Sequence, residues 1–453
     1  MNNLDKILDI YRQDYYVCPK CLGRLFAVLG SGLTNRIRGE SLLLALTLEL
    51  HRKILSNEED ISNEGLDGIK ILAEKANYII AQNILSNKSI NFPQFDDSKK
   101  CYLCQGIFDN LNQYASKAMV ESQGVEFENF LVGCSCDFII NKEDKFKSEF
   151  NLTYSESFKN HFNREVGKLI EKGITRPVEF KNPEILFIFN LSYEKFNLSL
   201  QINPLFIYGR YRKFERGIPQ THWLCRNCRG QGCEECNGTG KQYPTSVEEK
   251  ISDLFVEYSK ASDSKFHGAG REDIDARMLG SGRPFVLQLI QPKIRKLDLR
   301  KLEKKVNKKN KKKVEIFNLK FSTRRKMINL KANAEFSKKI YRAFVEFDED
   351  INQSIFKEKL NKLKEQLENK IILQKTPQRV LHRRADLTRK KKVFEIIGSL
   401  IDSKHANFNI KTIGGTYIKE LINGDGGRTT PSLTEIFGFQ CICKELDVLN
   451  VEY

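Results

Sequence analysis

No stretch of this 453-residue chain approaches the ~18 apolar residues that a membrane-spanning helix needs, so no membrane partner is expected. The opening residues, MNNLDKILDIYRQDYY, carry acids among their bases and no apolar core, so no secretory signal is expected there. A cytoplasmic location follows as an expectation. Acidic residues are in short supply: 58 Asp and Glu face 75 Lys and Arg, a net charge of +17. Such a balance points to a polyanion, with nucleic acid first and a merely solvated basic surface second. The phosphate-cradling signatures of nucleotide enzymes are missing, both a Walker Lys-Ser/Thr and a G-x-G-x-x-G opening a helix. No long-period repeat is present. What remains, 40% apolar and 29% charged residues, suits a globular chain. At roughly 150 residues per domain it divides into about three domains, or two with one large.

Disulfides are disfavoured inside cells, which leaves twelve cysteines to explain. Eight of them fall in C-x-x-C pairs, a spacing that places two thiolates on one tight turn, as tetrahedral zinc requires. Cys18 and Cys21 pair in this way, and so do Cys101 and Cys104 about eighty residues later. Folding between them would join the two pairs into one structural zinc site; the alternative is two unrelated pairs of buried thiols. A denser cluster reads Cys225-Arg-Asn-Cys228-Arg-Gly-Gln-Gly, then Cys233-Glu-Glu-Cys236-Asn-Gly-Thr-Gly. Glycine after each knuckle permits positive φ and lets backbone N–H groups approach sulfur. The same unit occurs in DnaJ-type co-chaperones, but several repeats are needed there and the J-domain's His-Pro-Asp is missing here. A second zinc on these four thiols requires a sharp chain reversal. Cys134, Cys136, Cys441 and Cys443 alternate as strand residues do and read as packing residues.

Along the chain, Gly39 to Leu55 and Gly68 to Ser86 show helical spacing, followed by a polar loop with Pro93. Residues 1–106 thus read as an accessory unit closed by the first two cysteine pairs. Residues 107–205 read as an α+β module, with strands near Asn129, over Ile185 to Leu191 and over Phe196 to Ile202, and a helix over Ser155 to Lys172. Residues 206–453 mix strands and helices, with the tandem cysteine insert at 225–240. Within Gln291 to Lys313 stand twelve Lys and Arg against two acids. That tract, 291–313, is expected to be a mobile basic loop between two strands.

One segment has the make-up of an active-site loop: FHGAGREDIDARMLGSGRPF, from Phe266 to Phe285, rich in glycine and in both charge signs. Taken alone, a buried Arg271–Asp273 pair could be structural or catalytic. The string Gly270-Arg271-Glu272-Asp273 resembles the G-R-x-D motif of pseudouridine synthases. The longer GREDIDARMLGSGRPF resembles the archaeal and eukaryotic tRNA pseudouridine synthases that modify the T loop at positions 54 and 55. In order along the chain, CPKCLGRLFA, IYGRYRKFERGIPQTHW, CRNCRGQGCEECNGTGKQYPTSVEE, TPQRVLHRRADLTRKK and GGTYIKELINGDGGRTTPSL are similar too. The middle module resembles a THUMP domain through Asn163-Arg-Glu-Val-Gly-Lys and Pro183-Glu-Ile-Leu-Phe-Ile.

The resemblance implies an α+β, multidomain protein: a zinc-bound, THUMP-like N-terminal accessory region and a pseudouridine synthase domain with a central antiparallel sheet. It implies Asp273 as nucleophile, Tyr341 stacking on the target base and Tyr417 as a second substrate contact. A cation is expected beside Asp273, from Arg271 or Arg277, to keep the carboxylate ionised. His267 would shape the loop or touch RNA. Arg379, His382, Arg383, Arg384 and the run from Arg389 through Lys390 are expected on phosphates, where they position RNA without choosing the base. The expected partner is tRNA, with no organic cofactor and no protein partner. Other THUMP-bearing modifiers would show an S-adenosylmethionine loop or a thiolase S-G-G-x-D-S, and neither is present. The competing reading is a non-catalytic tRNA-binding zinc protein, a chaperone or processing factor.

Overall fold

The computed structural model describes residues 2–192 and 195–452. The chain forms two compact units, Met1–Asn203 and Pro204–Tyr453.

The first unit begins with helices Asn3–Arg12, Pro19–Leu25, Asn35–Ile54, Glu59–Lys75 and Ile79–Asn87. Glycine sets one close crossing: a Cβ on Gly23 would lie 1.7 Å from the Asn35 carbonyl oxygen, and one on Gly39 would lie 1.9 Å from that of Pro19. Only glycine allows helices 19–25 and 35–54 to meet there, and that contact fixes the turn bearing Cys18 and Cys21. The helical stretch expected over Gly68 to Ser86 is two helices, because Asn77 takes a left-handed conformation (φ 51°) between them. Strands β1 (Phe130–Ser135), β2 (Ile185–Leu191) and β3 (Phe196–Ile202) follow, with helices Asp137–Glu149 and Phe158–Ile174 between the first two. β2 pairs parallel with β1 and antiparallel with β3. The hydrophobic core runs from Ile7 through Leu191 without a break at the expected 106/107 division. Cys134 ends β1, but Cys136 stands outside the strand, at the N-cap of helix 137–149.

The second unit is built on one sheet. Its strands are β4 (Leu205–Lys213), β5 (Asp263–Gly268), β6 (Arg277–Ile290), β7 (Val314–Ser322), β8 (Lys338–Phe347), β9 (Ile371–Lys375), β10 (Thr388–Asp402), β11 (His405–Ile413), β12 (Thr429–Thr430) and β13 (Cys441–Glu452). They lie in the order β12-β9-β10-β11-β8-β13-β6-β4-β7, and β5 also pairs with β6. Every pairing is antiparallel except β13 with β6, where Asp447 lies opposite Arg277. Alternation is clear in β8, where Lys339, Tyr341, Ala343, Val345 and Phe347 are buried and the residues between them are not.

The basic tract is not a loop. Leu299–Lys309 is a helix, N-capped by the Asp298 side chain, which accepts from the Lys301 N–H. Leu302 and Val306, four residues apart, are buried, so the tract pins one narrow stripe to the core and turns its lysines outward. Among the described residues no helix is long and apolar enough to cross a membrane.

Candidate functional site

The loop between β5 and β6 carries two adjacent carboxylates that face opposite ways. Glu272 points inward and is buried. The Tyr211 hydroxyl donates to it at 2.8 Å, and Arg283 Nε lies 2.8 Å from its Oε2. Burial alone would push the Glu272 pKa up; Arg283, Lys213 and the tyrosine bond outweigh it and hold the group below the ordinary carboxylate value. Asp273 points outward into a cavity of about 750 Å³. Between them the backbone is clamped. The buried Lys213 amine donates to the carbonyls of Ile218, Asp273 and Ile274 at 2.9, 3.3 and 3.1 Å. Gln220 donates to the Gly270 carbonyl at 3.0 Å. Gly270 is left-handed (φ 78°), and a Cβ there would lie 2.9 Å from Lys339 Nζ. The inward acid thus anchors the loop and leaves the outward one facing the cavity.

The cation that reaches Asp273 is Arg379, which sits more than a hundred residues away in the short 3-10 helix Gln378–Arg383. Its Nη2 is 3.0 Å from Asp273 Oδ2 and its Nη1 is 3.4 Å from Oδ1. Its Nε donates to Glu420 Oε1 at 2.7 Å. Glu420 is only 3% exposed, so Asp273, Arg379 and Glu420 form an ordered chain with its far end in the core. Burial disfavours the guanidinium's charge, but the Glu420 bond and Asp273 outweigh burial and raise its pKa. The two loop arginines lie elsewhere. Arg271 also lines the cavity, with its guanidinium 4.6 Å from the Trp223 ring centre. Arg277 bonds Asp447 at 2.7 and 2.8 Å and lines a separate surface pocket with Arg342. The neighbouring Asp275 is paired with Lys419.

Tyr341 is buried and lines the cavity, and burial pushes its hydroxyl up to about 12. Tyr417 lines it from the turn before helix Ile418–Asn423. The buried Gln374 side chain holds its backbone at both ends, accepting from its N–H at 3.0 Å and donating to its carbonyl at 2.9 Å. Arg384 donates to the Tyr417 hydroxyl at 2.9 Å. On β10, Arg389 and Lys391 line the cavity and the exposed Lys390 between them lies on the other side of the sheet. Arg383 lies in the Gln378–Arg383 turn, and its side chain is outside the described residues. His267 lies in β5 with its Nε2 3.0 Å from Gln288 Oε1, away from the cavity lining.

Three residues that pattern reading missed complete the cavity's chemistry: Glu420, Gln374 and Lys339. Lys339 lines the cavity, and its amine is brought down to about 7, first by burial and then by Arg283. In all, nine Lys and Arg against four Asp and Glu line the cavity. It is a basic recess around one carboxylate and two tyrosines, suited to a polyanion that presents a flat ring.

Both cysteine sets converge. Cys18, Cys21, Cys101 and Cys104 form one group and Cys225, Cys228, Cys233 and Cys236 another, with all sulfurs in each within 4.8 Å of one another. Tetrahedral zinc with Zn–S near 2.3 Å requires sulfurs about 3.8 Å apart. The Cys18–Cys104, Cys225–Cys233, Cys228–Cys236 and Cys233–Cys236 separations are 3.9, 3.9, 3.8 and 3.7 Å. In the first unit, Arg24 is fully buried, and its Nε and Nη2 have no hydrogen-bond partner among the described residues. Burial works against its charge, and Cys21 and Glu143 sustain it. In the second unit, the N–H groups of Gly232 and Gly240 donate to Cys228 and Cys236 sulfurs at 3.1 and 3.2 Å, from φ values of 89° and 67°. The donor sets fit zinc.

A family model described as "Pus10, C-terminal" matches residues 206–452, and one described as "Pus10 THUMP domain, archaeal" matches residues 114–190. The chain is 44% identical to the tRNA pseudouridine synthase Pus10 of Methanocaldococcus jannaschii, over 96% of this chain and 92% of that one. It is 40% identical to the tRNA pseudouridine synthase Pus10 of Methanothermobacter marburgensis, over 99% and 98%. A solved structure of a Cbf5-Nop10-Gar1 complex is similar at 17% identity over 44% of each chain, with a TM-score of 0.27.

Proposed function

The chain belongs to the Pus10 family of tRNA pseudouridine synthases, and from that footing we propose that it isomerises uridine 54, uridine 55 or both in the T loop of tRNA, with Asp273 as nucleophile. The observation that carries this reading is the Asp273–Arg379–Glu420 chain at the mouth of a basic cavity that also holds Tyr341. The isomerisation proposed calls for no organic cofactor. The N-glycosidic bond breaks, the uracil turns, and carbon 5 joins the ribose. Asp273 faces the sugar as nucleophile or base, oriented by two bonds from Arg379. Tyr341 offers the splayed uracil a flat face, a contact worth about 1–3 kcal/mol. Tyr417, held at both backbone ends by Gln374, limits where the ring can turn. Arg271, Arg384 and Arg389 stand where RNA phosphates would enter, and Arg277, Arg383 and Lys390 would extend that grip outside the cavity.

The middle module, 107–205, is proposed to engage tRNA as a THUMP domain, within an accessory region 1–205. Each four-cysteine group would hold a structural zinc, which would tie chain segments together and take no part in the isomerisation. The reducing cytoplasm that keeps these thiols free is the proposed place of action.

Carbodiimide mapping of an unmodified tRNA transcript tests the reading, with Asp273→Ala as control. A reverse-transcription stop in the T loop, lost in the variant, is the expected result. No stop anywhere with tRNA still bound would instead favour the non-catalytic RNA-binding zinc protein.

A further inference from the structure

Three lysines are buried at the cavity or beneath its loop, and two of them have obvious structural work. Lys213 ties down three carbonyls, and Lys391 donates to the Gly414 carbonyl at 2.9 Å. Lys339 does neither. It is 4% exposed and lines the cavity, and its amine makes no hydrogen bond or ion pair among the described residues. It stands two residues before Tyr341 on β8, which places the two side chains on one face about 7 Å apart along the strand. A uracil lying against Tyr341 is therefore within reach of the Lys339 amine. The charged groups that face this amine are the Arg283–Glu272 pair and Lys391, with Asp273 beside Tyr341. Burial disfavours a further charge there, and Arg283 and Lys391 add to that bias. An amine with no acceptor in such a place is brought down from the ordinary lysine value to about 7, so its free-base form is available near neutral pH.

We propose that Lys339 is the base that removes the proton from carbon 5 of the reattached uracil. This rests on the pseudouridine synthase reading and on Tyr341 as the stacking partner. Once carbon 5 has bonded to carbon 1′ of the ribose, it still carries its hydrogen, and N1 and C6 share a double bond. The Nζ lone pair takes that hydrogen as a proton. The C5–H electron pair becomes the C5–C6 double bond, and the N1–C6 π pair moves onto N1. N1 then takes a proton from the lysine ammonium or from water, so atoms and charge balance.

The test compares wild type, Lys339→Gln and Lys339→Arg on tRNA transcripts made with ordinary uridine or with uridine deuterated at carbon 5. Lys339→Met replaces the Gln variant if its melting temperature shows poor folding. Loss of a positioned base lowers turnover by about 10²–10⁴-fold. The deuterium isotope effect on turnover should rise above that of the wild type, because proton removal becomes the slow step. Lys339→Arg should be as slow as Lys339→Gln, since a guanidinium keeps the charge but supplies no usable base. The acid limb of the wild-type pH profile near pH 7 should vanish in both. An isotope effect unchanged from wild type in Lys339→Gln, or near-normal turnover in Lys339→Arg, overturns the proposal and leaves a structural or purely electrostatic lysine. Wild-type protein that forms no pseudouridine on either transcript overturns the parent reading, and this one with it.

Discussion

Replacing Arg379 by Met separates two roles for one side chain. In sequence it belongs to a basic string suited to phosphates, yet in the fold three of its nitrogens are directed at Asp273 and Glu420. Its loss leaves the Glu420 carboxylate buried without its cation. A hydrogen bond to a charged group contributes about 1.5–3 kcal/mol. The Arg379 side chain is 38% exposed, so water screens the pair and the lower end, about 1.5–2 kcal/mol, applies. For a unit of this size, that lowers the melting temperature by about 3–8 °C. The lost bonds to Asp273 cost turnover about 10- to 160-fold, taking one charge-assisted bond at about 1.5–3 kcal/mol. Affinity for tRNA and its dependence on salt should stay as in wild type. Adding Glu420→Gln to the Met variant removes the stranded charge, so the melting temperature should recover while turnover does not. Calorimetry, single-turnover kinetics and tRNA binding across a salt series measure all three quantities. Unchanged turnover together with weaker binding, and a salt slope shallower by about 0.7–0.9, would refute the orienting role and restore Arg379 to the phosphates.

On the proposed stacking role, which draws on the ring and not the buried hydroxyl, Tyr341→Phe should turn over nearly as wild type; Tyr341→Leu should be slower by about 5- to 160-fold, read by single-turnover kinetics. Metal analysis of purified protein should find two zinc ions per chain, one lost in Cys101→Ser and a different one in Cys228→Ser, with only the former melting the first unit. His161, stacked 4.3 Å from Phe108, is brought down to about 3 by burial and by Arg24. Unfolded, it titrates near 6.5. Its neutral form therefore contributes full stability above pH 6.5, and that contribution fades as the pH falls from 6.5 toward 3. His161→Gln should flatten this acid slope in pH-dependent denaturation, by a few kcal/mol.

Much of this site was legible because its pieces are local. Gly270 through Asp273 is one turn, and a C-x-x-C pair is one knuckle. The partners were not legible, because sheet register chooses them. Nothing within ten residues of Asp273 indicates Arg379 or Glu420, which the Gln378–Arg383 turn and helix Ile418–Asn423 bring to it. Lys339 left a trace: in Lys338-Lys-Ile-Tyr-Arg-Ala-Phe-Val-Glu-Phe, strand alternation sets it on the face of Tyr341, Ala343 and Val345, a charge on an apolar side. The basic tract misled through composition. Leu299, Leu302 and Val306 stand at helical spacing, and that stripe is enough to order a helix whose outer face is almost all lysine. Parallel pairing of β13 with β6 had no counterpart in the chain's local patterns, since it joins segments about 170 residues apart.

That pairing also makes β13 a keystone. It sits mid-sheet, between β8 and β6, not on an edge. The strands on one side, β8 to β12, carry Tyr341, and those on the other, β4 to β7, carry the loop with Asp273. Among the described residues, the sheet's pairing passes from one half to the other through this strand. A substitution that frays Cys441–Glu452 should therefore loosen the whole cavity without changing a residue of the loop.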